Sequence, residues 1–308
     1  MRCVCRKTLT VLLCAVFLCA GVFAGQNEAD AESVFERHEV FSYEASRLVQ
    51  RLQEGRHLLV ISGSMDSYML GNLRNAIIAN TGISVALDLS SVTALFDIHK
   101  EAFNGCKNLV SVTIPDGAMQ IRWQCFLGCE NLTAINATEN NDYFSSSDGI
   151  LYSKDGTELV ICPCGWQGSV EIPLLVSAVR EGAFSNCPNV TSFSLQTRAE
   201  EYQQDGEVRT RVIENDTFSV LDGILYSKDM TVLVQFPGGR SGEVLVPATV
   251  KEIAPRAFAY CSRITSVEVP SGASTFRFSS RRTCSATPTA EKGLKRGSSR
   301  ARSRTPAR

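Results

Sequence analysis

Ala102-Phe103-Asn104-Gly105-Cys106-Lys107-Asn108-Leu109-Val110-Ser111-Val112-Thr113-Ile114-Pro115 is the stretch that decides how this chain folds. Leu109, Val112 and Ile114 are spaced so that the last two alternate like a short strand with one face buried. Pro115 ends that strand, because it has no N–H for the next ladder bond. The Ala-Phe-x-x-Cys element lies on the far side of the turn as a short helical or 3₁₀ piece, its Phe filling the space between layers. One such turn leaves an apolar face bare, so it is stable only when stacked on copies of itself. The copies are present. The frame returns 23 residues later as Phe126, Cys129, Leu132 and Ile135. It returns again as Ala183-Phe184, Cys187, Val190, Phe193 and Leu195, and as Ala257-Phe258, Cys261, Ile264, Val267, Val269 and Pro270.

A longer register of 74 residues overlies the first. Asp148-Gly-Ile-Leu-Tyr-Ser-Lys-Asp155 reappears as Asp222-Gly-Ile-Leu-Tyr-Ser-Lys-Asp229, and Pro173, Phe184 and Cys187 recur as Pro247, Phe258 and Cys261. Inside this unit Gly149-Ile-Leu-Tyr-Ser153 and Glu158-Leu-Val-Ile161 flank Asp155-Gly156, which suits a tight turn, so a β-hairpin is expected in each unit. The second copy has Asp229-Met230 at that place and is expected to turn differently. The polar stretch from Gln196 to Asp216 reads as a solvated surface insertion.

The pattern Ala-Phe-x-x-Cys-x-x-Leu-x-x-Val-x-Ile-Pro resembles the BspA-type, or treponemal, leucine-rich repeat family, over Ile83 to Pro270. Gln124-Cys125 before Phe126, and Asn136-Ala137 in place of Ile-Pro, depart from it in one turn only. The resemblance implies an α+β leucine-rich repeat solenoid with short parallel concave strands, inserted β-hairpins and an N-terminal α/β cap. It also implies a non-enzymatic binding role, as adhesion to host extracellular matrix proteins such as fibronectin. A periplasmic or cell-envelope structural scaffold with no host ligand is the rival reading.

The expected division is a signal peptide at 1–24, a capping segment at 25–82, the solenoid at 83–274 and a basic tail at 275–308. Residues 1–24 have a basic start, an apolar run from Leu9 to Phe23, and Val22 and Ala24 at the small-residue cleavage positions. The protein is therefore expected to be secreted, on the cell surface or in the periplasm, with no membrane span once the signal is cut. In the capping segment helices are expected at Phe41 to Gln53 and Ser67 to Asn80, with strands at His57 to Ile61 and Ile83 to Leu89. Gly63-Ser64 reads there as a plain turn, because no glycine-rich phosphate loop accompanies it. Two readings of the tail stay open: a native disordered segment that touches acidic partners or anionic surfaces, or a reading frame lost near Phe276.

Charge is divided unevenly. From Thr275 onward there are ten basic residues against Glu291, whereas Gly25 to Ser274 carries 18 basic and 31 acidic residues. An acidic body lacks the clustered cations that phosphate backbones need, so nucleic acid is excluded as its partner. A protein is the expected partner.

Cys106, Cys129, Cys187 and Cys261 recur with the repeat, as do Phe103, Phe126, Phe184 and Phe258, and these eight read as structural. Cys125, Cys162 and Cys164 are off-pattern, and a disulfide among them stays open. The histidines, His38, His57 and His99, all precede the first full repeat, so neither a catalytic triad nor a histidine-rich metal site is expected within the repeats. No cofactor or metal is expected, and the Asp-Gly pairs are explained by turn chemistry. Asn131, Asn136, Asn189 and Asn215 begin Asn-x-Thr sequons. The candidate binding face is the outward side of the concave strands: Ser111, Thr113, Ala134, Asn136, Ser192, Ser194, Ser266 and Glu268. These side chains are small and polar, without an aromatic or arginine anchor, so binding there is expected to be weak or multivalent. The hairpin tips and Trp166 are alternative contact points.

Overall fold

The computed structural model describes residues 35–205, 207–270 and 273. The expected signal peptide, the start of the capping segment and the basic tail lie outside the described residues.

The first elements are β1 (Glu36–Phe41), α1 (Ser42–Val49), β2 (Gly55–Ser64), α2 (Ser67–Ala79) and β3 (Ile83–Asp88), with every strand pair parallel. Strand β1 was not expected, because Glu36-Arg37-His38-Glu39 offers no apolar alternation at this sheet edge. Gly63-Ser64 ends β2 rather than making a turn, and it pairs with β4 (Val92–Thr93). Two-residue strands β5 (Asp97–Ile98) and β7 (Gln120–Ile121) pair on one side of the first repeats. On the other side β6 (Leu109–Thr113) and β8 (Ala134–Asn136) extend the sheet of β3, giving the order β1-β2-β3-β6-β8. A 3₁₀ turn, Trp123–Phe126, precedes β8. The α/β segment and the first repeats share one core, from Ala45 and Val49 through Leu70, Leu73 and Ile77 to Phe103, Phe126 and Cys164.

The repeats then change construction. Antiparallel strands β9 (Phe144–Ser147), β10 (Ile150–Ser153) and β11 (Glu158–Ile161) form a meander. The expected pairing of β10 with β11 is present, and β9 is an additional arm. Asp148 (φ 51°) and Gly149 (φ 79°) join β9 to β10 in the left-handed pair that suits a two-residue hairpin. Beyond it lie the parallel pair β12 (Gly168–Ile172) and β14 (Val190–Leu195), with β13 (Ala178–Val179) alongside β11. The insertion is an ordered ribbon: β15 (Arg198–Gln204) and β16 (Glu207–Ile213) pair over seven residues each. The unit then repeats as the meander β17 (Phe218–Leu221), β18 (Ile224–Ser227) and β19 (Val232–Gln235) and the parallel pair β20 (Gly242–Leu245) with β22 (Ile264–Glu268). Strand β21 (Glu252–Ile253) lies beside β19.

Met230 does not change the second turn. Gly156 (φ 73°) and Met230 (φ 59°) hold the same left-handed place, and each backbone N–H donates to a serine carbonyl, Ser153 or Ser227, at 2.9 Å. Asp155 Oδ1 accepts from Ser153 Oγ, Thr157 N and Thr157 Oγ1, and Asp229 Oδ1 accepts from Ser227 Oγ, Thr231 N and Thr231 Oγ1. These bonds hold both carboxyl groups below the ordinary carboxylate range. The network overrides the side chain's dislike of positive φ.

Stacking is carried by three recurring contacts. Phe103 and Phe126 lie face to face with centroids 5.5 Å apart, and Phe236 stacks on Phe258 at 5.0 Å. Each repeat thiol donates to a carbonyl of the layer before it: Cys129 to Phe103 O at 3.1 Å, Cys187 to Cys162 O at 3.5 Å and Cys261 to Phe236 O at 3.9 Å. Cys164 does the same toward Phe126 O at 3.0 Å. Buried asparagines tie the loops. Asn141 Nδ2 donates to Pro115 O and Ala118 O, while its Oδ1 accepts from the Tyr143 and Phe144 amides. Asn215, 74 residues on, donates to Pro173 O, Leu174 O and Val176 O and accepts from the Thr217 and Phe218 amides. Its sequon is therefore closed to a glycan in the folded chain.

All seven cysteines among the described residues are buried free thiols. Burial pushes Cys106 and Cys164 up to about 12 and raises Cys125 and Cys129 as well, so the nucleophilic thiolate is scarce at neutral pH. Iodoacetamide at about pH 8 is expected to leave all seven unlabelled in the native chain and to label them after unfolding. Peptide mass mapping reads this; a disulfide among Cys125, Cys162 and Cys164 would appear as a pair that stays unlabelled until reduced.

Candidate functional site

The register sets out the expected binding positions strand by strand. Ser111 lies beside Ala134 and Thr113 beside Asn136, on the sheet that also carries Ala86 and Asp88 in the same rows. Ser192 and Ser194 face Ser169 and Glu171 on a separate two-stranded sheet, and Ser266 and Glu268 face Glu243 and Leu245 on a third. The eight positions therefore fall into three groups. Two of them also touch the hairpins. The Ile135 amide donates to Gly149 O at 2.8 Å, and a Cβ on Gly149 would meet Ala134 Cα at 2.9 Å. The Phe193 amide donates to Gly223 O at 2.9 Å, and a Cβ on Gly223 would meet the Ser192 side chain at 2.8 Å. Each Asp-Gly turn thus seals the open edge of the strand ladder before it, a device against edge-to-edge pairing. Trp166 packs half-buried on the second core and donates Nε1–H to Ser169 O at 3.2 Å.

A different surface holds the large anchors. A groove of about 640 Å³ is lined by Met119, Arg122, Trp123, Tyr143, Arg180, Glu181 and Arg256, among others. The Arg256 guanidinium sits 4.3 Å from the Trp123 ring centroid, and its Nε donates to Glu181 Oε1 at 2.9 Å. Gly182 passes so close beneath the indole that a Cβ there would lie 2.7 Å from Trp123 Cδ2. Arg180 binds Glu158 through both Nε and Nη2, and Arg122 lies 3.7 Å from Asp97. The arginines therefore carry their own carboxylates, and the groove presents stacked planar groups without a single-sign field. Trp, Tyr and Arg are the residues that dominate binding energy at protein interfaces. Met119 and Tyr143 are close to half exposed there.

Two irregularities of the repeat mark this groove. Trp123 enters through the one turn that departs from the pattern, just ahead of Gln124-Cys125. Arg256 occupies the slot that Gly182 fills in the preceding unit, and it keeps the left-handed backbone of that glycine (φ 62° against 83°). A non-glycine residue in this region costs about 1–2 kcal/mol, and such strain gathers where a side chain is needed. Comparing the copies position by position would have revealed both.

The family model described as "BspA type Leucine rich repeat region" matches six copies over residues 84–149, 164–205 and 240–289, just over half of the chain. The chain belongs to the BspA-type leucine-rich repeat family. Protein–protein interaction is the role that membership suggests. No curated protein matches the chain. Among solved structures, this BspA-type chain is similar to a leucine-rich repeat protein from Eubacterium ventriosum (20% identity, TM-score 0.39), covering 69% of this chain and 54% of that one. It is similar also to the pneumococcal vaccine antigen PcpA (14% identity, TM-score 0.36; 80% and 57% covered). A third is a leucine-rich cell surface protein from Faecalibacterium prausnitzii (18% identity, TM-score 0.36; 69% and 60% covered). This BspA-type chain spans little more than half the length of these proteins.

Proposed function

We propose that this protein is a non-enzymatic binding protein that works outside the cytoplasm, and that it adheres to host extracellular matrix protein through the Trp123 groove. The groove carries the proposal, because it joins Trp123, Tyr143 and Arg256 in one partly exposed surface with interface chemistry. The small polar strand positions, Ser111, Thr113, Ala134, Asn136, Ser192, Ser194, Ser266 and Glu268, serve as a weaker flanking contact. Repeats stacked as a solenoid would place them on its concave side, and the α/β segment before β6 would cap its first turn. No helix among the described residues is long and apolar enough to cross a membrane.

The full chain is to be screened by biolayer interferometry against fibronectin, laminin and collagen. Loss of an exposed interface Tyr costs about 2 kcal/mol, so Tyr143→Ala is expected to weaken binding about thirtyfold while Ser194→Ala changes it little. Unchanged binding in Tyr143→Ala removes the groove from the contact. Protease shaving of intact cells separates adhesin from scaffold: a chain protected on intact cells and cut only after lysis is the periplasmic or cell-envelope scaffold.

A further inference from the structure

The geometry points to a divalent transition-metal site, of the zinc class, made by Glu36, His38 and His57 at the first edge of the sheet. Alternation along β1 puts Glu36 and His38 on one face, and the parallel register sets Glu36 directly opposite His57 on β2. His38 Nε2 lies 3.1 Å from His57 Nδ1, Glu36 Oε1 lies 3.8 Å from His38 Nε2, and Glu36 Oε2 lies 3.5 Å from His57 Nδ1. Two ligand atoms each about 2.0–2.1 Å from a tetrahedral zinc stand about 3.3–3.4 Å apart. One oxygen and the two ring nitrogens here all lie within 4.8 Å of one another, so a small side-chain adjustment closes one face of such a tetrahedron. Among the described residues this is the one group of His, Cys, Asp and Glu side chains with that convergence.

A backbone carbonyl also fixes one of the imidazoles. His57 Nε2 lies 2.9 Å from the Gln53 carbonyl, which can only accept, so Nε2 carries the proton and the Nδ1 lone pair faces the cluster. The His57 side chain is 4% exposed, which leaves that lone pair the cluster itself to bond with, whereas Glu36 is 69% exposed and leaves room for water at a fourth position. Two imidazoles and one carboxylate select zinc-class ions over magnesium and calcium, which prefer all-oxygen shells. A bound ion would tie β1, whose other edge has no strand partner among the described residues, to β2.

The full chain, untagged and stripped with EDTA, is to be titrated with zinc chloride by calorimetry. The expected result is one zinc per chain at micromolar affinity, with a rise in Tm that magnesium and calcium do not give. Glu36→Gln, at an exposed position, is expected to weaken zinc binding tenfold or more while leaving the metal-free Tm in place. His38→Ala, whose side chain is 18% exposed and lies against His57, is expected to weaken binding as much with some loss of metal-free Tm, and His99→Ala to change neither. Cobalt in place of zinc is expected to give tetrahedral visible bands without a thiolate charge-transfer band, which separates this site from the buried cysteines. Absence of stoichiometric zinc, full affinity in either variant, or a thiolate band overturns the assignment.

Discussion

Replacing Asn215 by Ala is expected to destabilise the chain by about 4 kcal/mol. The side chain is 1% exposed and makes five hydrogen bonds, all to backbone groups. Alanine leaves the Phe218 amide and the Val176 carbonyl without this partner in the interior, and the Thr217 amide and the carbonyls at 173 and 174 without it at the half-buried rim. Each buried polar group so stranded costs about 1–3 kcal/mol, and partial relaxation keeps the total below the sum. Asn141 stands in the equivalent place of the first unit, fully buried, and Asn141→Ala is expected to cost as much. Its neighbour Asn140 is exposed and only reaches Asp116 Oδ2 at 3.2 Å, so Asn140→Ala is expected to stay within about 0.5 kcal/mol. Urea unfolding reads all three. A loss under 1 kcal/mol in both buried variants would mean the loops are held by packing alone.

The second large effect is steric. A Cβ on Gly165 would lie 2.8 Å from Leu132 O and 2.9 Å from both the Asn131 carbonyl carbon and Glu130 O. All three are backbone atoms of the previous layer, which cannot rotate away as a side chain would. The Gly165 amide also donates to Leu132 O at 2.7 Å, so opening the gap stretches that bond. Overpacking and the weakened bond together are expected to make Gly165→Ala cost about 3 kcal/mol. Gly239 meets Val190 O at 2.8 Å in the next unit and is expected to behave alike. Gly156 provides the contrast: it has open space around it and a left-handed backbone (φ 73°), so Gly156→Ala carries the conformational cost alone, about 1 kcal/mol. Thermal unfolding that failed to rank Gly165→Ala below Gly156→Ala would show that the layers are not in rigid contact.

Much of this architecture is legible in the sequence because the repeat is apolar where it stacks. Phe103, Cys106, Val112 and Ile114 recur in a fixed frame, and all are buried. The ribbon β15–β16 is invisible to that test. Its residues are exposed on both faces, and it is held by cross-strand pairs such as Glu200 with Arg211, with Arg211 also over Tyr202. Strand β1 escaped for a related reason, since its own residues from Glu36 to Glu39 are charged or titratable and mostly exposed, with no apolar alternation to mark a strand. The candidate groove depends on Arg256 meeting Trp123 from 133 residues away, a contact no local pattern encodes. The sealing of β8 by Gly149 is equally non-local: the Asp-Gly turn is readable, but the strand it docks on is not.

The two sealed ladders lie at the junctions of three apolar cores, the second running from Ile150 to Leu225 and the third from Ile224 to Val267. Each 74-residue period opens on its own Asp-Gly stopper and hands equivalent residues to the core before it, Leu151 to the first and Leu225 to the second. Such a cassette can be duplicated or lost between generations without repacking its neighbours, because the new junction reuses the contacts of the old one. The reach of the molecule would then be inherited in whole steps, and selection could lengthen or shorten it as readily as it changes a side chain.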